Sequence, residues 1–142
     1  MLTPYLVCRD AASAIDFYAR AFGATERFRM TDPGDGRLGH AELDFGTTPM
    51  MLSDEYPDFG AISPDTLGGT AVTLHLAVAD VDSATARAAS AGATILRQPA
   101  TQSFGERVAA LVDPYGHRWL LSQTVETLSP EDMQRRWAEQ GA

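Results

Sequence analysis

From Leu2 to Cys8 the chain alternates, with Leu6 and Cys8 on one face and Thr3, Tyr5 and Val7 on the other, which is the period of a β-strand. Arg9-Asp10 ends the alternation, and the apolar positions then move to helical spacing. Ala11, Ile15, Tyr18 and Phe22 form a stripe suited to lie on a sheet, with Asp10 placed to cap the first turn and Gly23 to close the last. Strand patterns resume over Ala24–Met30, Leu38–Phe45 and Pro49–Ser53, the first two separated by the turn Asp32-Pro33-Gly34-Asp35-Gly36. The order is β-α-β-β-β.

The same order then recurs. Ala71–Ala79 reads as strand, Asp80–Ala91 as helix, and Thr94–Gln98, Glu106–Val112 and Arg118–Gln123 as strands. Thr3, Tyr5, Asp10 and Arg27 match Thr73, His75, Asp80 and Arg97 at one offset, and both helices exit through Gly-Ala-Thr, at Gly23 and Gly92. Aligning the turns before the last strands pairs Met50-Met51-Leu52-Ser53 with Trp119-Leu120-Leu121-Ser122. Two copies are too few for a solenoid, so the repeat predicts two modules about a pseudo-twofold axis. The fold class is therefore α+β: tandem β-α-β-β-β modules forming a curved mixed sheet around a cavity.

Between the copies, Asp54–Gly69 is rich in Pro, Gly and acidic residues and carries Tyr56 and Phe59; a connection of this length is either a linker or a flap over a site. Ser129-Pro130-Glu131-Asp132 is a helix start, and Met133 and Trp137 then share one face, expected to dock on the domain or a second subunit. The chain thus divides into one domain over 1–128 (modules 1–54 and 71–124, linker 55–70) and a helix over 129–142.

Composition narrows the function classes. A net charge of −8 with 11 Lys and Arg argues against a nucleic-acid partner, and suits either solubility or attraction of a cationic small molecule. No apolar run reaches the roughly 18 residues of a membrane span, so no membrane partner is expected. The single cysteine, Cys8, forms no intrachain disulfide and reads as core filler, with a reducing cytoplasm as the expected location.

Paired β-α-β-β-β modules, the Gly-Ala-Thr helix exits and the Asp113-Pro114-Tyr115-Gly116-His117 turn resemble the vicinal oxygen chelate superfamily, the glyoxalase, bleomycin-resistance and extradiol dioxygenase group. Asp54-Glu55-Tyr56-Pro57, Leu67-Gly68-Gly69-Thr70 and the tail from Ser129 look like its PhnB-like branch. The resemblance implies a homodimer, and in metal-dependent members it implies ligands on the first and fourth strands of each module. Those slots fall here at Thr3, Met51, Thr73 and Leu120. Neutral hydroxyls, a thioether and an aliphatic chain are no set for a divalent ion, so neither metal nor other cofactor is expected.

Strand alternation places Thr3, Tyr5, Met51, Ser53, Thr73, His75, Leu120 and Ser122 on the inner face, with Leu6, Cys8, Leu74, Leu76, Trp119 and Leu121 toward the helices. His40, Glu42 and Asp44 share a face of the third strand; if it looks inward, His40 and Glu42 can act as a base and its partner or bind a cation, and if outward they are surface residues. The candidate ligand-binding residues are Thr3, Tyr5, His40, Glu42, Met51, Ser53, Thr73, His75, Leu120 and Ser122, with no catalytic residue assigned. Arg107 is a candidate anion partner, His117 is expected to bond within its hairpin, and Tyr5, Tyr56, Phe59 and Trp119 offer stacking surfaces according to orientation. Two functions stand open: a metal-independent small-molecule-binding protein of the sequestration or resistance type, and an enzyme using an unusual metal site or a His/Glu acid-base pair. A weaker third is a protein-interaction module.

Overall fold

The structure is a computed structural model that describes residues 1–140. The first module runs β1 (Tyr5–Cys8), α1 (Ala11–Phe22), β2 (Thr25–Thr31), β3 (Leu38–Phe45) and β4 (Thr48–Asp54). The second runs β5 (Thr73–Ala77), α3 (Val81–Ala91), β6 (Thr94–Thr101), β7 (Glu106–Val112) and β8 (Arg118–Thr124). Between them lies a short helix α2 (Pro64–Leu67), and α4 (Pro130–Gln140) closes the chain.

Each module makes its own four-stranded mixed sheet, ordered β1-β4-β3-β2 and β5-β8-β7-β6, with β1 parallel to β4 and β5 parallel to β8. The caps repeat with the strands: Asp10 accepts from the Ser13 amide and Asp80 from the Asp82 and Ser83 amides, while Gly23 leaves α1 at φ 73°. Both helices pack on their own sheets and on each other, so the core lies between the helix-facing sides. Leu6, Cys8, Trp119 and Leu121 are buried there and Leu74 and Leu76 pack against them.

The modules are joined through a buried carboxylate. Asp113, in the turn after β7, accepts from the Tyr18 hydroxyl of α1 and from Trp119 Nε1 (2.9 Å) on one oxygen, and from the Tyr115 and His117 amides on the other. Four donors satisfy a charge that burial would otherwise make costly. Trp119 is buried against Phe22, Phe45 and Tyr18 and offers no surface to a ligand, because its alternation faces the helices. His117 bonds within its hairpin through its backbone, to the Asp113 side chain and amide, while its ring Nε2 donates to the Val7 carbonyl at 2.9 Å, across the module boundary. At the far end of α1, Arg87 of α3 donates to the Arg20 carbonyl at 2.7 Å.

The segment between the modules is built rather than slack. Tyr56 and Ala61 form a β-bridge around a single turn at Pro57–Phe59, and Ser63 caps α2. The Glu55 carboxylate accepts from Thr66 Oγ1 and the Ser63 amide, bonds that hold it below the usual carboxylate range. Arg37 stacks on the Tyr56 ring at 3.9 Å and donates to the Glu55 carbonyl, tying the segment to the β2–β3 hairpin.

Candidate functional site

Alternation along β1 turns Leu6 and Cys8 into the core and leaves Tyr5 on the open side of the sheet. Registers do the rest: Tyr5 lies opposite Met51, Met51 opposite Glu42, and Glu42 opposite Phe28, one row across all four strands. His40 stands opposite Met30 in the same way. This open side and the segment after β4 enclose a cavity of about 670 Å³, whose wall includes Tyr5, Met30, His40, Ser53, Tyr56 and Phe59. The segment from Asp54 to Gly69 is thus a wall of the cavity as well as a connection.

Three polar side chains form a line there. Tyr5 Oη is 2.8 Å from His40 Nδ1, and His40 Nε2 is 2.9 Å from Glu42 Oε2. Behind them Arg27 lies 3.5 Å from both Glu42 and Asp44, and the Phe28 ring flanks His40 with centroids 5.8 Å apart. The polar face of β3 therefore looks toward the cavity, with His40 in the wall and Glu42 supporting it from behind.

The ten candidate residues do not meet in one place. Tyr5, His40 and Ser53 line the first cavity with Glu42 behind them. His75, Leu120 and Ser122 line a second, of about 420 Å³, on the other module's sheet, together with Glu106, Phe104 and Trp137 of α4. Thr3, Met51 and Thr73 line neither. The separation follows from the two sheets being unjoined, each open face carrying its own module's residues.

The superfamily's metal slots do not fit a metal here. Of Thr3, Met51, Thr73 and Leu120, only the last lines a cavity, and its side chain has no donor atom. His40 spends both ring nitrogens on Tyr5 and Glu42. Arg107 takes its anion from the protein itself: Nε and Nη2 bond the two carboxylate oxygens of Asp82 at 2.8 and 2.9 Å, which holds that carboxyl below its usual range. Burial, reinforced by Asp113 and Asp54, pushes the Cys8 thiol far up and leaves it without thiolate character.

Strand alternation alone does not place several of the wall residues. Met30 and Asp32 enter through the β2–β3 hairpin, whose register shifts twice, between Glu26 and Phe28 and between Met30 and Thr31. Such bulges break the alternation that would have assigned a face.

The model of the Glyoxalase/Bleomycin resistance protein/Dioxygenase superfamily matches residues 2–121. The chain belongs to this superfamily. Among curated relatives, an uncharacterized protein of Mycobacterium bovis is 43% identical over 99% of this chain and 93% of its own length. One from Mycobacterium tuberculosis is also 43% identical, with 84% of its length covered. Of solved structures, TioX from Micromonospora sp. ML1 superposes with a TM-score of 0.69 at 27% identity, over 87% of this chain and 97% of that one. A PhnB protein from Bacillus cereus, described as a putative 3-demethylubiquinone-9 3-methyltransferase, shares the fold with a TM-score of 0.68 at 19% identity, over 87% and 98% of the two chains. The structure agrees with this glyoxalase-like placement through its tandem α+β modules. Among the described residues no helix is long and apolar enough to cross a membrane.

Proposed function

We propose that this superfamily member is a metal-independent small-molecule-binding protein of the sequestration or resistance type, with its ligand site in the cavity of the first module. The observation that carries this reading is the Tyr5–His40–Glu42 line in the wall of a roomy cavity, together with slots that offer no metal donors. A volume of about 670 Å³ with apolar Met30 and Phe59 and a few convergent polar groups is suited to a drug-sized guest. The protein works in the cytoplasm as a homodimer. Phe28, Met30 and Leu96 are exposed on β2 and β6, and covering such side chains is what a second copy does. The same hydrogen-bonded line favours a second reading, metal-free acid-base catalysis on the bound molecule.

Native mass spectrometry of freshly purified protein tests the proposal. The expected spectrum is a dimer free of stoichiometric metal, with a small organic molecule retained. One tightly held Zn, Ni, Mn or Fe ion per site overturns it.

A further inference from the structure

The direction of each hydrogen bond in the first cavity's wall decides what the cavity can hold. Glu42, paired with Arg27, is a carboxylate and only accepts, so His40 carries its proton on Nε2 and donates to Glu42 Oε2 at 2.9 Å. In the neutral ring Nδ1 is then bare and only accepts. The Tyr5 hydroxyl therefore donates to it at 2.8 Å, the Gly39 carbonyl at 3.5 Å being too distant to compete. A phenol has one proton; with that proton turned inward, the Tyr5 oxygen shows the cavity lone pairs alone.

Two of the wall's other hydroxyls are committed in the same sense. Tyr56 donates to Asp32 Oδ2 at 3.2 Å and Ser53 Oγ donates to the Asp54 carbonyl at 2.9 Å. Three of the four hydroxyls lining the cavity, those of Tyr5 on β1, Ser53 on β4 and Tyr56 in the following segment, thus keep their protons for the protein, and Thr31 on β2 is the fourth. The only carboxylate in the wall, Asp32, is an acceptor too.

We propose that the first cavity is an acceptor-rich site that selects small molecules carrying a hydrogen-bond donor, an ammonium or a hydroxyl, on an apolar body. The inference rests on the ligand-binding reading above and adds the chemistry of the head group. His40 is the positioning residue: it fixes which way the Tyr5 proton points. At Tyr5, Ser53, Tyr56 and Asp32 a ligand acceptor meets lone pairs, so a ligand that brings a donor gains a hydrogen bond there that an acceptor-only ligand does not. The net charge of −8 adds an attraction for the ammonium form.

Matched probes isolate the donor from shape and charge. Benzylammonium and benzyltrimethylammonium carry the same charge, but only the first has N–H; 4-methylphenol and 4-methylanisole, both neutral, differ by the O–H. Calorimetric titration is expected to show each donor bound about tenfold more tightly than its donor-less match. The pair with the larger ratio identifies whether amine or hydroxyl is the natural head group. In His40→Leu, Tyr5 is released to donate and the ratios are expected to fall toward one, a change that simple loosening of the site would not single out. Equal affinities within both pairs, or ratios unchanged by His40→Leu, overturn the donor selection while leaving the binding site standing. Failure of all four probes to bind overturns the cavity reading and this inference with it. As an independent check, ¹⁵N spectra of the histidines are expected to show His40 as the Nε2–H tautomer; an Nδ1–H tautomer contradicts the proposed proton order.

Discussion

Tyr18 of the first module donates its hydroxyl to Asp113 of the second, 95 residues away, in the buried centre of the molecule. The contact joins the halves of the repeat, the other three donors to Asp113 coming from its own module. Asp113→Ala would leave the Tyr18 hydroxyl, Trp119 Nε1 and two amides without their acceptor. A loss of about 3 kcal/mol or more in urea unfolding is expected, against about 1–2 kcal/mol for Tyr18→Phe, which removes one donor of four. Equal, small losses would show that the carboxylate does not hold the modules together.

Alkaline pH should weaken the fold through two buried groups. Burial raises the Cys8 thiol above its ordinary 9.0, and burial with the adjoining Asp113 raises the Tyr18 phenol above its ordinary 10.0. The folded state then holds protons that the unfolded chain releases, so this stability is complete below the unfolded values and declines as pH rises past them. Unfolding free energy is expected to decline from about pH 9 upward, and the double variant Cys8→Ala/Tyr18→Phe to flatten that decline. A wild-type curve already flat between about pH 8 and 10.5 would contradict it.

The turns before the last strands give a comparison within one molecule. Gly46 and Gly116 both have positive φ, 67° and 85°, but a Cβ on Gly46 meets open space while one on Gly116 falls 2.8 Å from Pro64 Cβ. Gly46→Ala is expected to cost about 1 kcal/mol of backbone strain, and Gly116→Ala at least about 1 kcal/mol more. Thermal unfolding of the pair measures the difference; equal costs would mean that α2 yields freely.

Removal of residues 129–142 should be tolerated by the rest of the domain. Ser129 caps α4 as its sequence indicates, yet no residue of the helix is buried, and it is tied down by the exposed Arg136–Glu126 pair at 2.8 Å and by Ser103 to Gln140. Exposed ion pairs contribute little, so a stability change under about 1 kcal/mol is expected from urea unfolding. A larger loss would mean that Trp137, on the wall of the second cavity, is held more firmly than its exposure indicates.

The sequence made the local structure legible because local structure rests on neighbours. Asp10 and Asp80 cap their helices, Gly23 and Gly92 end them, and alternation sorted Leu6, Cys8, Trp119 and Leu121 from the open faces. Relations between distant residues were not legible. Nothing near His117 indicates the Val7 carbonyl, and Arg107 finds Asp82 across 25 residues. The division of the candidate residues between two cavities depends on which strand edges pair, and the repeat is silent on that because both copies carry the same pattern. His40 and Glu42 could be placed on one face by parity, but only the register of β1, β4 and β3 brings Tyr5 to them.

Chemical-shift mapping with benzylammonium on protein dialysed against a chelator tests the central claim most directly. Saturable shifts are expected at the amides of Tyr5, His40 and Tyr56, with those of His75 and Leu120 unmoved and with no metal added. Shifts centred on His75 and Leu120, or binding that appears only after a divalent metal is restored, would contradict a metal-independent site in the first module.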